Sequence, residues 1–434
     1  MNPLLFIFPL LLGLALSLTA KASTSTDSVS ESELRTLFSR AAHTAIQRSP
    51  QVRSAQFAAE AAREDVNNAK GARLPQVDVT TDSRSWQFGD GDRNASRDNV
   101  PAFGVTVSTT LYDFGQTRHT IDSREHSVNA ADHQLAAQYE DLAWQVSSEM
   151  TELTKQRLII EMSQQYVARM QDLVTMLSGI VEQDPGRRSE LTQARGRFLQ
   201  AQSALDNATA RLRDSEIKLQ RLTGGAKVAL PPARRWQLKP GELTRLLQQL
   251  QQHPTLAQAR SRAQAALAEA EALKSSNLPK VNWVISKSTA KDYYGRREAW
   301  QTGVNLSWGV FRGGSSQAAE RAAVQRAWAQ NEEAENQLDD LQQRVKTADQ
   351  DAHAMLQRAE LYHNLTFESD RIRKDFFDQW YHLGKRTLLD VLSAESDYYN
   401  NRVAEVTNRY DGYSAILRGY AGAGELTHWL NPSS

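Results

Sequence analysis

Three histidines recur at intervals of seven, His119, His126 and His133. Imidazole is the commonest metal ligand, so this stripe is the first place to look for chemistry. Seven residues of helix span ~10 Å, whereas a single zinc ion holds its ligands at ~2 Å. The three rings line one helical stripe without converging on an ion, and they read as a solvated face. The other reactive arrangements are missing from the text of the chain. There is no cysteine to serve as nucleophile. No glycine loop opens a helix after a strand to cradle a phosphate, and no His-Glu-x-x-His pair occurs. Asn94-Ala95-Ser96 matches a glycosylation sequon by pattern alone. The expectation is a protein that is not an enzyme and uses no metal or cofactor.

Composition narrows the class. Among 434 residues, 51 basic side chains balance 51 acidic ones, which gives no support for nucleic-acid binding. Leu4 to Leu18 is a continuous apolar run followed by the small-x-small triplet Ala20-Lys21-Ala22. That pattern predicts a secretory signal over residues 1–22 and an extracytoplasmic home. An uncleaved anchor is the other reading, but the run is short for a spanning helix. No other stretch approaches 18 apolar residues, so no membrane helix is expected in the mature chain.

The elements that carry these residues are written twice. Pro50 and Pro75 are answered 204 residues later by Pro254 and Pro279. Leu111-Tyr112-Asp113-Phe114-Gly115 is answered by Val310-Phe311-Arg312-Gly313-Gly314, and Gly186-Arg187-Arg188-Ser189 by Gly384-Lys385-Arg386-Thr387. Such self-similarity marks a duplicated architecture. The first repeat is placed at 23–223, a linker at 224–241, the second repeat at 242–421 and an irregular tail at 422–434. Between the paired landmarks, 116–182 and 315–382 are almost free of Pro and Gly and rich in helix formers. Ala334, Leu338, Leu341, Val345, Ala348, Ala352, Met355 and Ala359 step by four and three, a heptad seam of small residues. Each long helix would run about 100 Å. Shorter return helices are expected at 189–223 and 387–420, with shorter pieces still at 51–73 and 255–276 filling the remaining length.

Four segments alternate with period two, at about 76–86, 103–112, 280–290 and 302–311. Val77 and Val79, Phe103, Val105, Val107 and Leu111, Val281, Trp283 and Ile285, and Val304, Leu306, Trp308 and Val310 fall on one face, with small polar residues on the other. Transmembrane barrel strands facing lipid and water show this pattern, and so does a half-buried sheet of a soluble domain. Four strands cannot close a barrel, and an open edge cannot sit in lipid. If these are membrane strands, three chains would supply twelve, an even number and enough for an open lumen.

With these features in place, the chain resembles the TolC family of outer-membrane channels over its whole mature length. The segment Tyr381-His382-Leu383-Gly384-Lys385-Arg386-Thr387-Leu388-Leu389-Asp390-Val391-Leu392-Ser393-Ala394 is similar to the family's second periplasmic turn. Leu111 to Gly115 and Phe311 to Gly314 resemble its strand-to-helix turns. The tip Gly186 to Ala194 looks like that of members serving type I protein secretion. The resemblance implies a mainly α fold with a small β part: a homotrimer with a twelve-stranded barrel in the Gram-negative outer membrane and an α-barrel in the periplasm. It implies a periplasmic adaptor and an inner-membrane ABC transporter or other pump as partners. It also implies that Asp390 rings the closed end and that Tyr381, Arg386 and Arg409 lock it, with Glu190 as the acidic partner. Ser393 stands where the best-known member has a second acid. The basic tips, Gly186, Arg187 and Arg188 together with Gly384 and Lys385, are the expected adaptor-docking points.

Overall fold

The computed structural model describes residues 28–82, 102–290, 296–297 and 299–431. The expected export signal, the Gln87–Val100 loop and most of the Lys291–Gln301 loop lie outside the described residues. In chain order the elements are β1 (Ser28–Val29), α1 (Glu31–Arg48), α2 (Pro50–Gly71), β2 (Gln76–Asp82), β3 (Ala102–Tyr112) and α3 (Gln116–Gln183). A single 3-10 turn, Pro185–Arg187, leads into α4 (Arg188–Leu222). Then come β4 (Arg235–Trp236), α5 (Leu243–Gln249), the 3-10 turn Leu250–Gln252, α6 (Pro254–Ser276), β5 (Lys280–Ser288) and β6 (Gln301–Ser307). The chain finishes with α7 (Ser315–Tyr381), α8 (Leu388–Ala423) and α9 (Leu426–Leu430).

The two long helices, 68 and 67 residues, are each about 100 Å at ~1.5 Å per residue. Neither α2 nor α4 is long enough to match α3, so they share it. Arg63 of α2 pairs with Asp132 at 2.7 Å and Lys70 with Glu125 at 2.9 Å, in the first part of α3. Lys218 of α4 faces Glu149, further along. In the second repeat α6 and α8 lie against α7 in the same way, and both also pack on α3, which joins the repeats into one layer. Small residues allow the close approach: a Cβ on Gly412 of α8 would sit 3.0 Å from the Leu356 side chain of α7.

The chain enters α3 after β3, and α7 after β6, through two successive left-handed residues. These are Phe114 (φ 54°) with Gly115 (φ 87°), and Gly313 (φ 60°) with Gly314 (φ 81°). Left-handed backbone disfavours side chains, which accounts for three glycines in four positions. In the first turn the Asp113 carboxylate accepts from Gly115 N at 3.1 Å and Thr117 N at 2.8 Å, filling otherwise orphaned donors of α3.

The strands form one antiparallel sheet in the order β2-β3-β5-β6, so the two repeats meet at β3 and β5. Register carries the apolar pattern across all four. Val77 faces Val107, which faces Ile285; Trp283 faces Val304, and Val281 faces Leu306. A bulge between Thr110 and Tyr112 returns Tyr112 to the same face, opposite Val281. The expected fourth strand is shorter than the alternation suggested. It ends at Ser307, opposite Lys280, where β5, its one strand neighbour among the described residues, begins. Trp308 instead donates its indole N–H to Asn277 O at 3.1 Å.

Two segments read as irregular are built into the core. In the 224–241 stretch, β4 pairs in parallel with β1, and Trp236 is buried among Phe38, Tyr410 and Tyr413. The Tyr413 hydroxyl accepts from Trp236 N at 3.0 Å and donates to Trp236 O at 2.9 Å. In the tail, α9 buries Leu426, Trp429 and Leu430. Glu140 of α3 caps it, accepting from Leu426 N at 3.1 Å, from Thr427 N at 3.0 Å and from the Thr427 hydroxyl. Isolated aromatic residues in Pro-rich sequence carry no periodicity, so only long-range packing recruits them.

Candidate gate and duct

At the far end of the long helices lie the two hairpin turns. In the first, Asp184 Oδ1 accepts from Gly186 N at 3.1 Å and starts the 3-10 turn. Arg187 bonds Glu190 at 2.8 Å, and its guanidinium lies 5.6 Å from the Trp380 ring. That contact ties the first turn to the end of α7. Trp380 is buried, and its indole N–H has no hydrogen-bond partner among the described residues.

The second turn uses Gly384 at φ +61°. Thr387 and Asp390 then make a reciprocal capping box. Asp390 Oδ2 accepts from Thr387 N at 3.1 Å and from its hydroxyl at 2.9 Å, while Asp390 N donates to the Thr387 hydroxyl at 3.3 Å. The backbone and side-chain bonds from Thr387 hold the Asp390 carboxyl below its usual range, with Arg386 adding to them. Asp390 therefore stays charged at the exposed tip.

The sequence-expected group is only partly assembled in one chain. Arg386 donates to Gln379 Oε1 at 3.2 Å and lies 4.3 Å from the Phe376 ring. Glu190 is engaged by Arg187, so Glu190 and Arg386 do not meet within a chain. Tyr381 is half exposed and stacks on Phe377, with ring centroids 5.8 Å apart. Arg409 sits about 28 Å along α8 from Asp390, paired with Glu405 at 3.1 Å and Glu360 at 3.5 Å. Gly186, Arg188, Gly384 and Lys385 are exposed.

Sequence reasoning missed a cluster just inside the tip. Glu395 of α8 is 3% exposed. Its carboxylate accepts from Arg169 Nε of α3 at 2.8 Å and faces Arg373 of α7 at 3.6 Å. Arg373 also bonds Asp370 at 2.6 Å and covers the Tyr398 ring. Burial opposes charge on Asp370, but bonds from Lys374 and Arg373 outweigh it and hold its carboxyl below the usual range. One carboxylate thus joins three helices and both repeats. The available signal was its place on the buried stripe Leu388, Val391, Leu392, Glu395, where a charge requires a partner.

The opposite end forms a wall with two unlike faces. Val77, Val79, Val304 and Leu306 are exposed on the apolar face of the sheet. On the other face Gln76, Ser108, Thr110, Asn282 and Asn305 line a groove of about 710 Å³. A second groove, about 960 Å³, lies between α2, α3, α6 and α7. Gln51 and Ala58 of α2 line that groove, and Ala72, the residue just past α2, lines the first. Both grooves thus border α2, one at each of its ends. No helix among the described residues is long and apolar enough to cross a membrane. His119, His126 and His133 run along α3 without converging, and His119 faces Asp122 at 3.9 Å.

Comparison with known proteins agrees with this geometry. The sequence model of the outer membrane efflux protein family matches residues 41–225 and 246–418. The outer membrane efflux protein BepC of Brucella suis is 23% identical over 374 residues, covering 82% of this chain and 78% of BepC. Among solved structures, the Campylobacter jejuni CmeC outer membrane channel superimposes with a TM-score of 0.79 at 14% identity, over 92% of this chain and 89% of CmeC. The Vibrio cholerae outer membrane protein VceC gives 0.78 at 16%, over 91% and 98%. The open state of Neisseria gonorrhoeae MtrE gives 0.75 at 16%, over 90% of each chain. This chain belongs to the outer membrane efflux protein family, the TolC-type channels of the Gram-negative outer membrane that reach into the periplasm, a family of conduits rather than of enzymes.

Proposed function

We propose that three copies of this chain close into the passive exit duct of a tripartite export system, and that the duct serves type I protein secretion. The sheet carries the first part. Among the described residues β2 and β6 each have one strand neighbour, and an apolar face registered over four strands would sit in lipid only if the other edges were paired. Three chains complete the ring. The outermost helices of the layer support it: α7 exposes Leu361, Leu365 and Ile372, and α4 exposes Leu199 and Ile217. Apolar stripes of this kind suit a seam between subunits.

In this reading the tip is the gate. Three copies of Asp390 face the axis, and Arg386, Tyr381 and Glu190 of neighbouring hairpins hold it shut, with Arg409 bracing α8 from further along. The adaptor docks on Gly186, Arg187, Arg188, Gly384 and Lys385, and an inner-membrane ABC transporter supplies cargo. The resemblance of the Gly186–Ala194 tip supports secretion. A second reading, small-molecule efflux, is favoured by the relative named an efflux protein.

Two measurements test the proposal. Detergent-extracted outer membranes are expected to yield a heat-modifiable trimer, and a monomer released by osmotic shock would end the barrel reading. Deleting the gene is expected to remove a large polypeptide from the culture supernatant with drug susceptibility unchanged. An unchanged supernatant with hypersensitivity to drugs would replace secretion by efflux.

A further inference from the structure

The grooved wall is not electrically neutral along its length. In the groove between α2, α3, α6 and α7, Arg124 and Arg262 stand with one carboxylate, Glu269. The remaining lining there is Gln, Ser, Ala and Pro. The groove beneath the sheet adds Lys280 as its one charged side chain. Toward the tip, where Gln330, Gln337 and Arg344 continue one face of α7, the excess disappears. Asp141 and Asp340 there accompany Arg344 and Arg418, and Glu140 is engaged by α9.

The two arginines follow one another along the same groove. The Ser123 hydroxyl donates to Ala265 O at 2.9 Å, which sets the level of α3 against α6. Arg124 is one residue from that level and the Arg262 backbone three, while the Arg262 guanidinium reaches Gln134, ten residues or ~15 Å further along α3 than Arg124. Arg262 donates to Gln134 Oε1 at 3.2 Å. A neutral amide steadies the guanidinium without cancelling its charge. Arg124 is exposed and forms no ion pair among the described residues.

We propose that Arg124 and Arg262 form an anion-attracting girdle in the upper duct, opposite in sign to the Asp390 ring at the tip. The inference rests on the proposed trimeric duct, in which two arginines per chain become six around one axis. Charges of one sign in a water-filled passage with low-dielectric walls focus the field and raise the local counter-ion concentration. Rings of Arg and Lys select anions where rings of Asp and Glu select cations. The effect reaches about one Debye length from the wall, ~10 Å at 0.1 M salt, so it acts on solutes that brush the girdle and fades as salt rises.

The test uses the full trimer in planar bilayers at 0.1 M KCl, with inositol hexakisphosphate added from the extracellular side. The parent is expected to lose conductance. The double variant Arg124→Gln, Arg262→Gln, which extends the existing glutamine lining, should need at least tenfold more of this anion for the same block. Glu269→Gln should need less. A parent pore that the anion does not block, or a double variant blocked at the parent's concentration, overturns the girdle while leaving the duct intact. A chain that forms no pore would instead refute the duct itself.

Discussion

Replacing Glu395 should reveal how strongly the two hairpins of one chain are held together near the tip. The carboxylate is 3% exposed, with Arg169 at 2.8 Å and Arg373 at 3.6 Å. Removing one partner of a buried pair costs about 3–5 kcal/mol when the other is left without compensation. Here compensation is partial. Arg373 keeps Asp370 at 2.6 Å, and Arg169 keeps the Phe377 face at 4.6 Å. A single charged hydrogen bond contributes about 1.5–3 kcal/mol, so Glu395→Leu is expected to destabilise each protomer by ~2–3 kcal/mol. The assay is urea unfolding of the detergent-solubilised trimer, followed by helical circular dichroism, on a cycle of Glu395→Leu, Arg169→Met and both together. The two changes combined should cost less than their sum, with a coupling of about 1.5–3 kcal/mol. Adding Arg373→Met should recover further stability, because apolar replacements of a whole buried ion cluster are often neutral. A coupling below ~0.5 kcal/mol would refute the reasoning and reduce the cluster to a surface-like pair.

Three further outcomes follow from the same geometry. At the gate, Asp390→Asn should weaken cation preference in bilayers without disrupting the trimer. Within one chain the bonds from Thr387 favour the charged carboxylate; unchanged ion selectivity in Asp390→Asn would remove this residue from the gate. At the tips, Arg187→Glu with Lys385→Glu should abolish export while the heat-modifiable trimer still forms, and unchanged export would remove these residues from adaptor docking. At α9, burial raises the Glu140 pKa above its usual 4.5 despite the bonds from Thr427 and Leu426. The folded state then binds that proton more tightly, so its contribution to stability is present below pH 4.5 and declines as pH rises through the folded-state value. Protection factors of the α9 amides, which correct for the intrinsic pH dependence of exchange, should fall over that interval in the parent and stay flat in Glu140→Gln.

Much of the fold could be read from the chain itself because its main elements are long and repeated. A heptad seam over dozens of residues sums many weak preferences into one unmistakable period, and duplication states it twice. Strand alternation and the glycine-bearing turns before α3 and α7 are equally local, since period two and left-handed backbone each constrain residue type directly. What remained hidden depended on residues distant in sequence. Trp236 and Trp429 lie in segments with no periodicity, and burial found them only because α1, α3 and α8 converge there. The end of β6 at Ser307 was set by the length of its partner β5, not by its own alternation. Glu395 resembles any other helical glutamate until Arg169, 226 residues away, supplies its counter-charge. Arg124 and Arg262 come to line one groove only because α3 and α6 pack antiparallel in a fixed register. Local sequence determines period, turn and cap, whereas the pairing of charges and the sign of a wall are decided by which helices become neighbours.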